Sequence, residues 1–325
     1  MLLALLLLVL PCSCRNVSRV STTYMFKDGV HIPRIGLGTA GLGQSSSHIV
    51  ESALNVGYAM IDTAQAPEWY SERLVGEGVH AYLRGGMNAT ALAIEPFIVT
   101  KIHPRSFAEP NLMKSLVASK ELLCSTEGLL DLVLIHAPYC WPDQCTSAEL
   151  EFTWEECWRT LENLKSNGGL VKKVGVSNFD IALLRQLSIM SNTRVSLVQN
   201  WCDPFHQDKE VRAFAKNKNI AYMAYSSFGT QWSLKYDENP VSNHPVLIDI
   251  AGKHNCTIYE VVVSWLLQED VIVIPRSSKV EHLKQNIFTY RKHENGPFEW
   301  YDCFLDDEDM IDIGSLDGAL GSPWD

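Results

Sequence analysis

Residues 62–72 read DTAQAPEWYSE and place an acid, a short turn and a tyrosine directly after the apolar run YAMI. A carboxylate can hold a cation and a phenol can give up a proton, which are the elements of general acid–base catalysis. The stretch therefore raises the question of whether Tyr70 is the proton donor of an enzyme or an aromatic side chain that lies near one.

Short apolar runs rich in β-forming residues alternate along the chain with longer amphipathic segments. The runs lie at residues 34–38, 58–62, 97–101, 132–136, 173–177, 196–200, 220–226 and 271–275. The segments between them have apolar residues at three- and four-residue spacing, which is typical of helices. Buried strands that alternate with helices indicate a parallel sheet, and eight such units match a closed (β/α)8 barrel.

The domain organisation follows from the same pattern. YMFKDGVHIP, at residues 24–33, has a DG turn between apolar arms and predicts a β-hairpin before the first barrel strand. No Pro-, Gly- or Ser-rich linker divides the chain, so we expect one barrel domain over residues 24–300. We expect residues 301–325 to be an acidic C-terminal tail, with a solvated segment from Asp306 to Asp312.

Polar side chains end or closely follow every run but the first. In a (β/α)8 barrel the active site lies at the carboxyl ends of the strands, so these side chains should converge. They are Asp62, Lys101, His136, Ser177, Asn178, Gln199, Tyr225 and Arg276.

One glycine pattern favours a different fold. Residues 36–41 read GLGTAG and match the G-x-G-x-x-G pattern of Rossmann dinucleotide-binding domains, with Asp62 as the ribose-binding acid. In that fold the glycines follow the strand, whereas here the first two lie inside the run RIGLG. A Rossmann domain is therefore the less favoured alternative.

Taken together, the strand-end motifs resemble those of the aldo-keto reductase family over about residues 24–290. The motifs are IPRIGLGT, YAMIDTA, FIVTK, LVLIHAP, VKKVGVSNFD, VQNWCDPF, AYSSFG and VIVIPRSSKVEHLKQN. The resemblance implies a (β/α)8 barrel and an NADP-dependent oxidoreductase that transfers hydride from NADPH to an aldehyde or ketone, its small-molecule substrate.

The resemblance also implies a role for individual residues. The catalytic group would comprise Asp62, Lys101, His136 and a tyrosine. The residues that would hold the nicotinamide are Ser177, Asn178, Gln199 and Tyr225. The residues that would hold the adenosine phosphate are Arg276, Ser277, His282, Gln285 and Asn286. An unperturbed tyrosine has a pKa of about 10, so it needs the Lys101 cation to give up a proton at neutral pH, and Asp62 would hold that lysine.

The loop after Asp62 departs from the family pattern D-T-A-x-x-Y. The family tyrosine would fall at Pro67 if residues are counted forward from Asp62, and at Trp69 if they are counted back from LVG at 74–76. Tyr70 is eight residues after Asp62, so the loop is longer than in the family pattern. Three interpretations remain: the longer loop delivers Tyr70 to the site, His136 works with water, or the chain is a nicotinamide-binding module without efficient reduction. We favour Tyr70, because an inactive pocket does not need the charge pair.

Cofactor and substrate are less constrained. At two places where the family often has lysine and arginine, the chain has Arg276 and His282. Arginine forms a planar fork suited to phosphate, whereas histidine is mostly neutral at pH 7. We therefore expect NADPH, with NADH as the alternative. Four aromatic residues are expected to line a pocket for a carbonyl compound with an apolar body: Trp141, Phe205, Phe228 and Trp232.

The N-terminal sequence MLLALLLLVLPCSC predicts a secretory signal peptide at residues 1–14. Its apolar run is shorter than the roughly 20 residues that span a bilayer, so no membrane span is expected after its removal. Three sequons, at Asn16, Asn88 and Asn255, fit a glycoprotein. We expect a place in the secretory pathway, in the ER lumen or outside the cell.

Net charge limits the partners that we expect, and the cysteine count limits the disulfides. A formal net charge of −11 repels phosphate backbones, so nucleic acid is not expected as a partner. The oligomeric state stays open.

Beyond the signal segment there are seven cysteines, so at least one is free or pairs between chains. YCWPDQC permits either a small disulfide loop between Cys140 and Cys145 or two free thiols. No cysteine or histidine spacing is typical of zinc, so no metal site is expected.

Overall fold

The structure is a computed structural model that describes residues 22–85, 95–124, 128–288, 291–292, 299–300 and 303–324. The predicted signal peptide at residues 1–14 lies outside the described residues, as do Asn16 and Asn88.

Eight parallel strands form one sheet in which neighbours in sequence are neighbours in space. They are β3 (Leu37–Gly38), β4 (Met60–Asp62), β5 (Phe97–Ile102), β6 (Leu130–Ile135), β7 (Val171–Ser177), β8 (Leu197–Trp201), β9 (Ala221–Tyr225) and β10 (Ile272–Val273). The two edges meet where Gly36 N–H donates to the Val273 carbonyl and Val273 N–H donates to the Arg34 carbonyl, each at 2.9 Å. The predicted (β/α)8 barrel is confirmed, and the Rossmann alternative is wrong.

The predicted N-terminal hairpin is confirmed and lies beneath the barrel. Strands β1 (Thr23–Met25) and β2 (His31–Pro33) pair antiparallel, with Tyr24 opposite Ile32. Phe26 and Ile32 are buried in the same apolar cluster as the inward-facing barrel residues, such as Leu132. The hairpin therefore fills the end of the barrel opposite the carboxyl ends of the strands and leaves those ends for the site.

Helices pack around the barrel in the order that the sequence predicts. The elements are α1 (Ser46–Val56), α2 (Glu72–Gly85), α3 (Glu109–Leu123), α4 (Trp154–Ser166), α5 (Ile181–Met190), α6 (Lys209–Lys218), α7 (Pro240–Asn243), α8 (Pro245–His254), α9 (Ile258–Gln268), α10 (Val280–Phe288) and α11 (Asp307–Gly314). Several helix starts are capped locally: Thr153 and Glu156 form a capping box at α4, as Thr257 and Glu260 do at α9.

The C-terminal segment is folded against the barrel, so the prediction that Asp306–Asp312 is solvated is wrong in part. Asp309 is buried, whereas the side chains at 307, 308, 311 and 312 are exposed. Its helix α11 begins at a capping box formed by Asp306 and Asp309. Lys253 of α8 donates to those two carboxylates at 2.9 and 2.8 Å, and Ile313 is fully buried. The Lys253 ammonium on α8 therefore pairs with the carboxylates of Asp306 and Asp309. Strands β11 (Arg291–Lys292) and β12 (Glu299–Trp300) form a separate antiparallel pair.

Two disulfides are present among the described residues. Cys140 is bonded to Cys145, which decides between the two interpretations of YCWPDQC. The second joins Cys256 to Cys303 and ties α8 to the C-terminal segment; its 47-residue separation gave no sequence signal. In the part of the chain that the structure describes, no helix has the length and apolar character to cross a membrane.

Candidate active site

A buried charge pair lies where β4 and β5 end. The Lys101 ammonium donates to Asp62 Oδ1 at 2.6 Å and to the Thr63 carbonyl at 3.0 Å. Gln199, on β8, donates to the other oxygen of Asp62 at 2.8 Å. The Asp62 and Lys101 side chains are 2% and 1% exposed. Parallel pairing of these strands brings their ends to one rim, so the sheet itself positions the pair.

Burial works against both charges of this pair. It raises the pKa of the Asp62 carboxyl, while Lys101 and Gln199 oppose that rise. It lowers the pKa of the Lys101 ammonium, while the charge of Asp62 opposes that fall. An ammonium has three donors, and two of them are used by Asp62 and Thr63. The same nitrogen lies 5.1 Å from the centre of the Tyr70 ring.

The extended loop after β4 delivers Tyr70 to this pair. The N–H groups of Trp69 and Tyr70 donate to the Ala66 carbonyl at 3.0 and 2.8 Å, which folds residues 66–70 into one helical turn. A helical turn rises only about 1.5 Å per residue, so the extra residues add little length. The Tyr70 ring lies 5.8 Å from the His136 ring, whereas Pro67 is exposed.

Trp69 lies on the outer side of the same turn. Its side chain is 39% exposed, and its ring packs edge-on against Trp141, with centroids 5.2 Å apart. Trp141 also packs against His136, at 5.0 Å. We call Trp69 and Trp141 the tryptophan wall. Tyr70 is therefore the candidate that lies beside Lys101 and His136. Trp69, the other aromatic candidate, is part of the tryptophan wall.

Burial sets the protonation of the two groups beside the lysine. It raises the pKa of Tyr70, as does the charge of Asp62, while Arg276 opposes the rise. Burial lowers the pKa of His136 well below its usual range, as do Lys101 and His103. Tyr70 therefore keeps its proton at neutral pH and His136 is a neutral imidazole. The Nδ1 atom of His136 is buried and has no hydrogen-bond partner within the described structure.

A cleft of about 340 Å³ opens beside Tyr70. Its lining includes Asp62, Tyr70, Tyr225, Arg276, Ser277, His282, Gln285 and Asn286. The Arg276 guanidinium crosses the cleft edge and donates to the Ala40 carbonyl at 3.1 Å. Gly41 has φ of +68°, and a Cβ there would lie 2.6 Å from the Arg276 guanidinium. The positive φ favours glycine at this position, and a Cβ would require the end of the Arg276 side chain to move.

The remaining predicted residues connect the cleft to the charge pair. The Tyr225 hydroxyl donates to Asn178 Oδ1 at 2.7 Å. The Asn178 amide donates to the His136 carbonyl at 2.8 Å and to the Ser177 hydroxyl at 3.2 Å. The structure thus brings the predicted strand-end residues together at one end of the barrel.

Two of the four expected pocket aromatics lie elsewhere. Phe205 is 1% exposed and Trp232 is fully buried in the core; the Trp232 indole donates to Asp203 at 2.9 Å. Trp141 belongs to the tryptophan wall, and Phe228 lines the cleft. A larger cleft of about 480 Å³ lies outside the barrel beside α6 and α9, and it contains none of the predicted site residues.

Sequence reasoning missed a polar chain that joins the loops of the site. Arg105 forms an ion pair with Glu68, next to Trp69, and donates through Nε to His103 Nδ1 at 3.0 Å. The His103 Nε2 atom lies 3.1 Å from Gln144 Oε1, inside the disulfide loop. The four residues come from three loops, so no single sequence motif predicts this polar chain. The tripeptide HPR after FIVTKI, which holds His103 and Arg105, is its local signal.

The ligand atoms of His103, Cys140 and Cys145 lie within 4.8 Å of one another. This is the spacing of a metal site, but the two sulfurs are bonded to each other and are not thiolates, which are the form that binds metal. The cluster is therefore a disulfide packed near a neutral imidazole.

Comparison with known proteins gives relatives along nearly the whole chain. An NAD(P)H-dependent pentose reductase of Pyricularia oryzae is 28% identical over 327 residues, which cover 91% of this chain and 93% of that protein. An oxidoreductase of Bacillus subtilis is 31% identical over 298 residues, which cover 90% of this chain and 92% of that protein.

Solved structures are also similar to this chain. An aldo-keto reductase of Bombyx mori, crystallised in complex with NADP, has a TM-score of 0.74 at 26% identity and covers 91% of this chain and 92% of that one. A model of the Aldo/keto reductase family matches residues 34–294. The match extends over most of the chain and includes every predicted site residue: the chain belongs to the aldo/keto reductase family.

Proposed function

We propose that the protein reduces an aldehyde or ketone with NADPH, using Tyr70 as the proton donor. The observation that carries the proposal is the placement of the Tyr70 ring 5.1 Å from the Lys101 ammonium and 5.8 Å from the His136 ring. A donor, a cation and a polarising imidazole are the groups that a developing alkoxide requires.

The cleft fits a dinucleotide with a phosphate near α10. Arg276 offers a guanidinium, and the first turn of α10 offers the positive end of a helix dipole; both favour an anion. Gly41 leaves room for the guanidinium, and the Tyr225 ring lines the opposite stretch of the cleft. Ser277, His282, Gln285 and Asn286 would hold the adenosine phosphate, while Ser177, Asn178, Gln199 and Tyr225 would hold the nicotinamide. When bound, the nicotinamide supplies the hydride.

The side chains of the site divide the remaining chemistry. His136, as a neutral imidazole, has one N–H to donate to the carbonyl oxygen and so orients the substrate. Tyr70 gives its proton to the alkoxide, and Lys101 stabilises the phenolate that remains. Asp62 holds the lysine and balances its charge, which is why the pair is retained under burial.

NADPH is the cofactor that we propose, because Arg276 can pair with its 2′-phosphate. His282 lies at the same cleft but lacks the planar guanidinium fork that suits phosphate, so the preference over NADH is moderate. Names of relatives include NAD(P)H-dependent and NADPH-dependent reductases, which supports nicotinamide binding without deciding between the two cofactors.

The substrate that we propose is a carbonyl compound with an apolar or aromatic body. The Trp141 ring of the tryptophan wall and the His103 ring pack against His136, with centroids 5.0 and 6.4 Å away, and such a surface buries apolar groups. Pentoses, the substrates named for one relative, are the polar alternative, and a panel of aldehydes and sugars separates the two.

We also propose a location in the secretory pathway. Disulfides persist in oxidising compartments, and the Cys140–Cys145 and Cys256–Cys303 bonds both lie in the described chain. Asn255, one of the sequons, is exposed in a left-handed turn after α8, which is accessible to glycosylation.

The test is turnover. Purified protein is mixed with NADPH and a panel of aldehydes, ketones and pentoses, and the loss of NADPH absorbance is followed. We expect oxidation that depends on the carbonyl compound. A protein that binds NADPH in a fluorescence titration but oxidises it no faster with any carbonyl present is a nicotinamide-binding module, and the proposal is then wrong.

A further inference from the structure

The loop after His136 is closed on itself at the entrance to the site. Cys140 and Cys145 form a disulfide with Cα atoms 6.2 Å apart, and Trp141 lies inside the loop that it closes. Both cysteines are partly exposed, so a small reductant in solution can reach the bond.

Trp141 is the residue through which this loop touches the site. Its ring centre lies 5.0 Å from His136, 5.4 Å from His103 and 5.2 Å from Trp69. The His136 side chain is 6% exposed. An aromatic ring at this distance excludes water from the imidazole and limits what can approach it.

Within the described part of the chain, two polar contacts and the packing of the disulfide near His103 also hold the loop there. Gln144 lies within hydrogen-bond distance of His103 at 3.1 Å, and its N–H donates to the Trp141 carbonyl at 3.2 Å. Asp143 has φ of +62°, a conformation that non-glycine residues adopt at a cost. A closed ring of six residues keeps this turn compact, whereas an open chain would gain the conformational freedom that the disulfide removes.

We propose that the Cys140–Cys145 disulfide determines substrate access by holding Trp141 against His136, and that reduction of the bond opens this side of the pocket. The expected consequence, a change in which carbonyl compounds the enzyme accepts, rests on the proposed function. The position of Trp141 itself does not depend on turnover.

The redox step is a thiol–disulfide exchange with a dithiol. One thiolate of the reductant attacks a sulfur of the Cys140–Cys145 bond and forms a mixed disulfide. Its second thiol then displaces the protein thiol and closes an internal disulfide. The dithiol loses two electrons and two protons, and Cys140 and Cys145 each become a thiol.

The chain provides a matched control. The Cys256–Cys303 disulfide lies between α8 and the C-terminal segment, and neither cysteine contacts the tryptophan wall. The double variants Cys140→Ser/Cys145→Ser and Cys256→Ser/Cys303→Ser therefore each remove one disulfide, but only the first removes the closure of the Trp141 loop.

The experiment measures the reactivity of His136 towards diethyl pyrocarbonate by peptide mass spectrometry, which separates it from His103. We expect the rate to rise roughly tenfold in Cys140→Ser/Cys145→Ser, because the loop is released from the constraint of its disulfide. Dithiothreitol should produce the same rise in the unaltered protein and in Cys256→Ser/Cys303→Ser. Trp141→Ala should show the high rate with or without the reductant.

Substrate range is the second readout. With NADPH present, opening of the wall should lower KM for a bulky aldehyde such as naphthaldehyde relative to propanal. Unchanged His136 reactivity after complete reduction of Cys140–Cys145, verified by thiol alkylation, overturns the inference. If Cys140→Ser/Cys145→Ser does not fold, His136 reactivity in the reduced Cys256→Ser/Cys303→Ser protein tests the proposal instead. Absence of all turnover refutes the proposed function but leaves the labelling result in force.

Discussion

The charge pair Asp62–Lys101 and the tryptophan wall both border the contact between Tyr70 and His136, but they are held by different kinds of contact. The pair lies on strand ends, is at most 2% exposed and is fixed by hydrogen bonds from neighbouring strands. The wall lies on loops, with Trp69 39% exposed, and depends on ring packing, one ion pair and a disulfide. A barrel can thus keep its reacting groups constant while the substrate side is rebuilt by insertions.

The largest expected effect comes from breaking the strand-borne side. Lys101→Met should lower the rate of carbonyl reduction by about 10²–10⁴-fold, because Tyr70 loses the cation that makes its proton available. Stopped-flow measurement of NADPH oxidation gives the rate. Combining Lys101→Met with Tyr70→Phe should cost little more than either change alone, since the two act as one unit.

Lys173 is the matched control for that variant. It is also a buried lysine, 3% exposed, but it pairs with Asp28 at the hairpin end of the barrel. Lys173→Met should lower thermal stability and leave the rate per folded molecule unchanged. An equal loss of rate in both lysine variants would mean that Lys101 only supports the fold.

A smaller effect is expected at the cofactor end of the cleft. Arg276→Ala should weaken NADPH binding by about 1.5–3 kcal/mol, the value of a charged hydrogen bond, and leave NADH binding almost unchanged. Fluorescence titration with each cofactor measures the difference. Lys284→Ala on α10, at a position outside the cleft lining, is the control. Equal affinity of the unaltered protein for NADPH and NADH would contradict the role of Arg276.

The smallest effect tests the loop-borne side. Glu68→Gln removes the ion pair with Arg105 that anchors the turn before Tyr70. Partly exposed pairs are worth about 1 kcal/mol or less, so kcat should fall by no more than about fivefold while NADPH affinity stays the same. Glu77→Gln removes the exposed pair with Arg73 and should change neither. A fall in NADPH affinity with kcat intact would show that Glu68 does not position the turn.

The barrel and the strand-borne residues could be predicted from the sequence because both follow from local pattern. The apolar runs identify the strands, and parallel pairing then forces Asp62, Lys101 and Gln199 to one rim. Asn178 and Tyr225 were predicted on the same basis, together with the family motifs.

The loops could not be predicted in the same way. The place of Tyr70 depends on the two N–H groups that donate to the Ala66 carbonyl. When the family pattern is counted along the chain, Trp69 and Pro67 compete for the same place. The contact of Trp141 with Trp69, and the bond between Cys256 and Cys303, join residues that are far apart in sequence. The folding of the acidic run at 306–312 against α8 has no local signal, because its cation, Lys253, lies more than fifty residues earlier.

The central claim is that Tyr70, and not Trp69, occupies the proton donor's place. Single-turnover oxidation of bound NADPH by an aldehyde should be compared in Tyr70→Phe and Trp69→Phe, with NADPH affinity measured for both. We expect Tyr70→Phe to lower the rate by roughly 10²–10⁴-fold with unchanged NADPH affinity, and Trp69→Phe to change only the KM for the substrate. Retention of the full rate by Tyr70→Phe would contradict the assignment of Tyr70 as the proton donor.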